Sequence, residues 1–570
     1  MDPALHYEAV MGCGIRSRAD DAADANRDEE TPPMPTMKNA MIVAPQPEAA
    51  EAGAEVLERG GNAIDAAIAC AFMQGVVDPL MCGIGGFGSM QVYMPRRGVH
   101  EIVEFYARAP LAATPDMWLQ HLQGQTRDGF AFLLRGGINE FGHLAVCTPG
   151  SVKGYAHALS RFGTMDWRDV MAPAIRQAHE GVLVRPHMHW FWSQDQSGGG
   201  EVNTGDKLRY SKTGREVYFR PDGSPKRVGD ALVNPDLAAT LEHLARSGPD
   251  DFYHGALAAR MAADFAAQGG LISERDFAAY ELSVAEPIWG SYRGHRISTS
   301  PPPASGMSML QMLHILENFD IGGLRHGSAE HITLLAEAMR RMTIDKDRFM
   351  GDPAYVDVPV ERLISKGHAA EQAEAIRRGE RAVIDRLDKS QRETTHVTVV
   401  DREGNAVALT HTLGSPSGAI SDGLGFIYNG TMSRFDPRPG RAASIAPGKR
   451  RASSAAPTIV FDGETPRIVI GAPGGSYIAP AIAQGIMNML DFGMSPFEAV
   501  AAPRVMAVSN TIDISNRIRR NVSAELTAAG YDVKRSAQTF PFAALHAIGI
   551  ADGTCSGGAD PQRDGMAISV

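Results

Sequence analysis

The chain has 570 residues, of which 44% are hydrophobic and 21% are charged, values typical of a globular protein. Its formal net charge of −11 is opposite to the basic excess of nucleic-acid-binding proteins, so we predict no nucleic-acid partner. No apolar run approaches the ~18 residues of a membrane-spanning helix, so we also predict no membrane partner.

The first 36 residues are acidic and lack the apolar segment that a signal peptide carries. They contain Asp28-Glu29-Glu30 and Pro32-Pro33, a composition that favours disorder. We therefore interpret 1–36 as a disordered lead and place the start of the folded chain at Met37. Because no signal pattern is seen, we expect a cytoplasmic protein.

Residues that bind metals form no convincing cluster. His187 and His189 are the densest histidine pair, but they lie two residues apart in a predicted loop without a neighbouring carboxylate or cysteine. The chain has five cysteines, which are Cys13, Cys70, Cys82, Cys147 and Cys555. This number is odd, and no two of them form a C-x-x-C pair. We predict no metal and no other cofactor, and we interpret Cys70 and Cys82 as small core residues.

Hydrophobic periodicity predicts a long series of helices that is followed by short strands. Asn62 and Asp166 are the predicted N-caps of two of the helices. The predicted helices are 48–59, 63–74, 167–180, 237–246, 256–267, 306–318, 330–341, 478–491 and 516–529. The predicted strands are 89–94, 395–401, 405–413, 424–429, 457–462, 467–471, 545–550 and 566–570. Residues 182–230 are predicted to be rich in loops.

A glycine-rich segment, Gly83-Ile84-Gly85-Gly86-Phe87-Gly88, fits the G-x-G-x-x-G pattern of dinucleotide sites. That pattern requires a strand before it and a helix after it. Here a helix precedes the segment and a predicted strand follows it. We therefore predict a closely packed glycine turn and no dinucleotide.

The segment Thr394–Val400 and the strand after it form a predicted hairpin, turned by Asp401-Arg402-Glu403-Gly404-Asn405. By pattern alone, a structural hairpin in the core is the simpler interpretation. However, a polar segment, 379–393, leads directly into two hydroxyl residues, Thr394 and Thr395. A break before Thr394 would give this residue a free α-amine with a pKa near ~7.7–8.0, suited to act as a general base.

A nucleophilic hydroxyl also needs donors that stabilise an oxyanion. Gly474 and Gly475 follow an apolar strand, and glycines let their backbone N–H groups approach a substrate closely. Their other interpretation is a tight turn before the helix at 478–491.

Taken together, these motifs resemble the γ-glutamyltransferase (γ-glutamyltranspeptidase) family of self-cleaving N-terminal-nucleophile hydrolases. The resemblance runs from about Met37 to Val570. It is carried by ordered motifs: Gly60-Gly61-Asn62-Ala63-Ile64-Asp65-Ala66-Ala67, Pro301-Pro302-Pro303-Ala304-Ser305-Gly306, Thr394-Thr395-His396, Gly404-Asn405-Ala406-Val407-Ala408 and Pro473-Gly474-Gly475-Ser476. The resemblance implies an α/β (α+β) fold, a four-layer αββα sandwich.

The resemblance also implies cleavage between Glu393 and Thr394, which would yield a large subunit, 37–393 after the lead, and a small subunit, 394–570. Thr394 would be the nucleophile because the family uses the first threonine of the pair. Thr412 would hydrogen-bond the nucleophile, although by pattern alone it is an ordinary strand residue. Gly474 and Gly475 would bind the oxyanion.

The predicted donor site departs from the family pattern. Ser453-Ser454 match a serine pair that binds the α-carboxylate of a γ-glutamyl group. Tyr106 stands where the family has an arginine, with Arg108 displaced nearby, and Arg434 stands where an acidic residue holds the α-amine. Gly414 also replaces a polar residue.

Replacing an acid by Arg434 inverts the local charge, so a carboxylate would be attracted and an ammonium group repelled. We therefore predict a small anionic amide without an α-amine as substrate. The competing interpretation is that Arg434 is a solvated loop residue, because 429–451 is rich in Pro, Gly and Arg.

These observations predict a self-cleaving amidohydrolase or acyltransferase that acts on a small-molecule amide through an acyl-enzyme on Thr394. One alternative is true γ-glutamyl transfer or glutathione hydrolysis. Another is an unprocessed, inactive family member that serves as a binding protein. The large and small subunits of one precursor are the predicted partners of each other, and a homo-oligomer of this heterodimer is left open.

Overall fold

The computed structural model describes residues 36–194, 201–386, 395–537 and 542–570, so nearly all of the predicted lead lies outside the described residues. The strands, in chain order, are β1 (Met41–Ala44), β2 (Phe87–Met94), β3 (Val99–Phe105), β4 (Leu122–Gln125), β5 (Phe132–Leu134), β6 (Val182–Leu183), β7 (Ala231–Leu232), β8 (Ser283–Ala285), β9 (Ile288–Tyr292), β10 (His295–Thr299), β11 (Thr395–Val400), β12 (Ala406–Thr412), β13 (Thr458–Asp462), β14 (Thr465–Gly471), β15 (Val505–Met506), β16 (Thr511–Ile514), β17 (Asp532–Arg535), β18 (His546–Ala551), β19 (Thr554–Ala559) and β20 (Met566–Ser569).

Two antiparallel sheets form the centre of the molecule. The first has the strand order β20-β1-β11-β12-β2-β3-β8, and the second has the order β19-β18-β14-β13-β10-β9. Their facing surfaces share one buried apolar cluster, to which Val43 and Val400 belong from the first sheet and Ile459 and Val469 from the second. The two sheets therefore pack face to face as a sandwich.

Helices cover the outer face of each sheet. In chain order they are α1 (Pro47–Glu58), α2 (Ala63–Val77), α3 (Ser151–Phe162), α4 (Trp167–Glu180), α5 (Pro186–Ser193), α6 (Thr204–Leu208), α7 (Lys212–Tyr218), α8 (Pro235–Ser247), α9 (Asp251–His254), α10 (Ala256–Ala267), α11 (Glu274–Ala278), α12 (Gly306–Leu316), α13 (Ala329–Phe349), α14 (Val360–Leu363), α15 (Lys366–Arg377), α16 (Ile478–Leu490), α17 (Pro496–Ala501) and α18 (Arg520–Ala528). One apolar cluster joins α1–α4 to the first sheet, and another joins α12, α13 and α16 to the second. This layer order confirms the predicted αββα sandwich.

Helix α2 lies directly against the first sheet and is buried on nearly every side, as expected for a helix that is apolar all round. Asn62 caps it as predicted: its side chain accepts hydrogen bonds from the N–H groups of Ile64 and Asp65, and the Asp65 carboxylate accepts one from the N–H of Asn62. At α4 the helix does follow Asp166, but the Asp166 side chain makes no capping hydrogen bond.

The region 182–230 differs from the predicted loop, because it contains α5, α6 and α7. His187 lies on α5 and is buried, with its ring nitrogens 3.2 Å from carboxylate oxygens of Asp78 and Asp564. The sequence interpretation missed these carboxylates because both are distant along the chain. The strand predicted at 424–429 is also wrong, since that segment is irregular in the structure.

The cysteines agree with the sequence interpretation within the described ranges. Cys70, Cys82, Cys147 and Cys555 are buried free thiols, in agreement with the core role predicted for the first two, and Cys13 lies outside the described residues. Among the helices described, none combines the length and apolarity needed to cross a membrane.

Candidate active site

The predicted nucleophile hairpin is present as β11 and β12. Thr395, the first residue of β11, pairs with His411, and Thr412 ends β12 beside this pair. Thr412 is buried, and its hydroxyl oxygen accepts a hydrogen bond of 2.7 Å from the N–H of Gly414. Thr394 and Glu393 themselves lie outside the described residues.

The glycine turn that precedes β2 packs against the end of β12. A Cβ added to Gly86 would lie 2.5 Å from the carbonyl oxygen of Thr412, and one added to Gly88 would lie 2.5 Å from that of Thr410. Side chains at these positions would push β12 away. The prediction of a close-packed turn is therefore confirmed, and the turn forms the wall behind Thr412.

Gly474 and Gly475 lie between β14 and α16, which begins three residues after Gly475. Both are buried, and both have positive φ angles, of 137° and 56°. Within the described ranges, neither backbone N–H has a hydrogen-bond acceptor. Two buried N–H groups that precede a helix can bind a developing negative charge.

Replacing Gly474 with alanine is expected to lower kcat by about 10²–10³-fold, the loss typical of removing one oxyanion donor. The reason is that the new Cβ would lie 2.5 Å from the backbone Cα of Ala543 and would displace the turn. Steady-state kinetics would test this. Gly463→Ala is the control, because Gly463 also has a positive φ angle but an open environment. An equal loss of kcat in both variants would contradict a specific role for Gly474.

A cavity of 690 Å³, here called the outer cavity, opens beside this site. It leads to a smaller inner recess that is lined by Thr412, and the two share Phe130, Arg451, Ser453 and Ser454. Among the described residues that line the outer cavity, basic side chains exceed acidic ones: Lys346, Arg348, Arg386, Arg434, Arg438, Arg441 and Arg451 against Asp347, Asp385 and Asp436. The cavity is therefore suited to an anionic ligand.

Two of these arginines are buried: Arg434 lines the outer cavity, and Arg451 lines both the outer cavity and the inner recess. Arg434 is 8% exposed, so the interpretation of a solvated loop residue is wrong. Its guanidinium donates hydrogen bonds of 2.9 Å to the carbonyl oxygens of Phe130 and Gly414, and its Cζ lies 3.3 Å from the centroid of the Phe130 ring. These contacts hold the Arg434 guanidinium against Gly414, two residues after Thr412.

Arg451 is the second of these buried arginines, and it is 3% exposed. Burial, and then the nearby positive charge of Arg434, lower the pKa of Arg451 to about 9. With this pKa, the Arg451 side chain still carries its charge at neutral pH. An anion bound beside Arg451 would offset the repulsion that Arg434 exerts on it, because opposite charges stabilise a buried charge.

Arg450 holds the segment that carries the serine pair. Its guanidinium bridges two buried carboxylates, at 2.5 Å from Glu104 and 2.8 Å from Asp352. Burial raises the pKa of Glu104 to about 7, against the opposing effect of Arg450. Ser453 is buried and its N–H donates to the carbonyl of Pro303 at 2.7 Å, which fixes the segment at the cavity wall.

The structure does not bring Tyr106 and Arg108 to the cavity. The Arg108 guanidinium donates to the carbonyl oxygens of Glu281 and Gly448, on another side of the segment. Tyr106 is buried in an apolar cluster with Phe87 and Met432, behind the cavity wall. The described residues that line the cavity and the recess include neither of them.

Sequence reasoning missed Phe130 and Arg451. For Arg451 a signal was available, because in an extended segment a residue two positions before Ser453 faces the same side. For Phe130 no local signal exists, since its contact with Arg434 joins residues 304 positions apart. In the described part of the chain, no group of His, Cys, Asp or Glu side chains is arranged to hold a metal ion.

Comparison with known proteins places these features in a family. The family model described as "Gamma-glutamyltranspeptidase" matches residues 49–570. The chain is 39% identical over 538 residues to the "Acylase ACY 1 proenzyme" of Pseudomonas sp. (strain SE83), covering 93% of each protein. It is 33% identical over 557 residues to the "Glutathione hydrolase proenzyme" of Bacillus subtilis (strain 168), covering 94% of this chain and 92% of the relative.

A solved structure gives the same result. The crystal structure of cephalosporin acylase from Bacillus halodurans superposes with a TM-score of 0.82 at 26% sequence identity, covering 97% of this chain and 98% of that one. Since the family model spans most of the chain and the relatives match nearly end to end, the chain belongs to the γ-glutamyltranspeptidase family of N-terminal-nucleophile hydrolases and transferases.

Proposed function

We propose that the protein is a self-cleaving acylase that hydrolyses the amide bond of a small acyl group bearing a second carboxylate, through an acyl-enzyme on Thr394. The observation that carries this proposal is the pair of buried guanidiniums, Arg434 and Arg451, in the wall of the outer cavity, of which Arg451 also lines the inner recess. In place of a site for an ammonium group, the outer cavity offers two buried positive charges, and the charge of Arg451 lines the same recess as Thr412.

The alternation of side chains along β11 supports Thr394 as the nucleophile. Val397 and Val399 pack with the helices, whereas Val400 packs between the two sheets. The His396 ring lies against Gly471 of β14, so closely that a Cβ added to Gly471 would collide with it. The even-numbered face therefore looks toward β14, the strand that leads to Gly474. Thr394 has the same even parity in the chain, whereas Thr395 does not.

Self-cleavage would begin with attack of the Thr394 hydroxyl on the carbonyl carbon of Glu393. The peptide C–N bond breaks as the ester forms, and the former amide nitrogen gains a proton and becomes the α-amine. Water then hydrolyses the ester and releases two chains, 1–393 and 394–570. The same two steps would serve catalysis afterwards.

In catalysis, the α-amine of Thr394 would take the hydroxyl proton as Oγ attacks the substrate carbonyl, and the N–H groups of Gly474 and Gly475 would stabilise the oxyanion. The amine leaving group would depart with that proton, which leaves an acyl ester on Thr394. Water, or an amine acceptor in a transfer reaction, would then release the acyl group. Thr412 would orient the nucleophile.

A matched pair of substrates tests the proposal. Glutaryl p-nitroanilide and γ-glutamyl p-nitroanilide differ only in the α-amine, so their ratio of kcat/KM reports how the site treats an ammonium group. We expect the glutaryl compound to be preferred by at least about 10-fold. Preference for the γ-glutamyl compound would instead support true γ-glutamyl transfer or glutathione hydrolysis, the activity printed in the name of the Bacillus subtilis relative.

Replacing Arg434 with aspartate is expected to lower kcat/KM for the glutaryl substrate by about 10²-fold, because a buried charge that binds the carboxylate is reversed. Turnover of the γ-glutamyl substrate is expected to rise. Arg441→Asp is the control, since Arg441 lines the same cavity but is exposed, and it makes the same change in charge. If Arg434→Asp changes neither rate, or if both variants have equal effects, Arg434 does not select the acyl group.

A further inference from the structure

Gln74 lies on α2, directly beneath the start of β11, and is fully buried. Its side-chain amide contacts three polar groups. Nε2 is 3.1 Å from the hydroxyl of Thr395 and 3.1 Å from Oε1 of Gln46, and Oε1 is 2.6 Å from Nε2 of His411. Thr395 is the residue that follows the proposed nucleophile, so this helix contacts the nucleophile strand at its first described position.

The direction of every hydrogen bond in this cluster follows from one carboxylate. Asp78 can only accept, so the amide nitrogen of Gln46, 2.7 Å from Asp78, must face it. The oxygen of Gln46 then faces Gln74, and the amide nitrogen of Gln74 must donate to both Gln46 and Thr395. The remaining oxygen of Gln74 accepts from His411.

The histidine is consistent with this direction. Burial lowers the pKa of His411 to about 3, so the ring is neutral and carries one N–H. Nε2 donates to Gln74, and Nδ1 accepts from the hydroxyl of Tyr155 at 2.8 Å. The amide of Gln74 is thus held at two points, by Gln46 and His411, and it holds the hydroxyl of Thr395 in turn.

The start of β11 is paired on one side only among the described strands, so the hydrogen bond from Gln74 is an additional contact that holds it. The pairing of β1 with β11 runs only from Thr398 to Val400, so among the described strands only β12 pairs with Thr395. A chain end created next to such a half-paired residue would fray. Since neighbouring Cα atoms are ~3.8 Å apart, movement of Thr395 would carry the nucleophile with it.

We propose that Gln74 is a positioning residue, which fixes the nucleophile by donating a hydrogen bond to the side chain of Thr395. This inference rests on the proposed role of Thr394. Displacement of a reacting group by about 1 Å can lower a rate by about 10²-fold, so loss of this hydrogen bond is expected to act on kcat rather than on KM.

A double-mutant cycle of Gln74→Met and Thr395→Val tests the proposal. Methionine keeps the size of glutamine but donates no hydrogen bond. Each single variant is expected to lower kcat, and the rate of self-cleavage, by about 10-fold or more with KM within about twofold. Because both remove the same hydrogen bond, the double variant is expected to be no slower than the slower single one.

If the fold-losses of kcat in the two single variants multiply in the double variant, the proposal is overturned. An unchanged kcat in Gln74→Met would overturn it as well. Gln484→Met is the control for stability, because Gln484 is a buried glutamine of α16 that bonds to Val505 and Pro480. It is expected to lower the unfolding midpoint as much as Gln74→Met while leaving kcat unchanged. Activity in Thr394→Ala would instead refute the proposed nucleophile, so the two failures are distinguishable.

Discussion

Replacement of Thr394 by alanine is expected to leave the 570-residue chain uncut and to lower amide hydrolysis by a factor on the order of 10⁶, the loss seen when a hydrolase nucleophile is removed. Alanine has no hydroxyl that could attack the carbonyl of Glu393, so no acyl shift occurs and no α-amine is released. One substitution would thus remove both the nucleophile and the general base. Intact mass measurement and a denaturing gel would show a single chain.

Thr394→Ser is the matched control for this experiment. Serine retains the hydroxyl, so the precursor is expected to split into chains 1–393 and 394–570, at a lower rate. If Thr394→Ala is cut as efficiently as the unaltered protein, another residue performs the cleavage. If the unaltered protein itself stays whole and inactive, the evidence would favour the binding-protein alternative.

Acidification is expected to destabilise the fold between about pH 6.5 and pH 4, because buried histidines stay neutral in the native state. Burial lowers the pKa of His331, His411 and His546 to about 3, and that of His100 and His314 to about 4. An unfolded histidine has a pKa near ~6.5. The unfolded state therefore binds more protons in this interval, and the free energy of unfolding falls as the pH falls.

Each of these histidines is expected to cost about 2 kcal/mol of stability at about pH 5. Two buried carboxyls act in the opposite direction, because burial raises the pKa of Glu104 to about 7 and that of Glu201 to about 8. They offset part of this loss, so the net fall in the free energy of unfolding is smaller than the sum over the histidines. Urea midpoints between about pH 8 and pH 5 would measure it.

His546→Leu isolates one of these contributions. Within the described part of the chain neither ring nitrogen of His546 has a hydrogen-bond partner, so leucine removes a titrating group without breaking a bond. The variant is expected to lose about 2 kcal/mol less than the unaltered protein on acidification to about pH 5. His411→Leu, which breaks the bonds to Tyr155 and Gln74, is expected to be destabilised at every pH. An unaltered pH dependence in His546→Leu would contradict the assignment.

The sequence predicted those elements whose signals are local. β11 and β12 combine β-branched residues with a turn at Asp401–Asn405, and α2 begins at a residue whose side chain can cap it. The strand predicted at 424–429 was wrong because the prediction relied on apolar residues. Gly423 and Gly425 have positive φ angles of 69° and 75°, which interrupt a strand. The side chains of this segment are nevertheless buried, so apolar content indicated burial correctly and conformation wrongly.

Tertiary contacts were beyond the reach of sequence pattern. Arg434 lies in a segment rich in Pro and Gly that looks solvated, and its burial depends on a carbonyl and a ring supplied by Phe130. For His187, the sequence showed no neighbouring carboxylate, because its partners Asp78 and Asp564 lie 109 and 377 positions away along the chain. The motifs predicted the residue types at the site, but the charges that surround them could be identified only from the folded structure.

The order of strands in the first sheet has a consequence for a protein cut before Thr394. β1 lies between β20 and β11, so one fragment would supply a strand whose two neighbours both belong to the other. The fragments could separate only if both edges of β1 were broken. Unfolding would remain a first-order event, but refolding would require two molecules to meet, so stability would depend on protein concentration. Before cleavage the single chain could refold alone. After cleavage the two associated chains would depend on kinetic stability, that is, on a slow rate of unfolding.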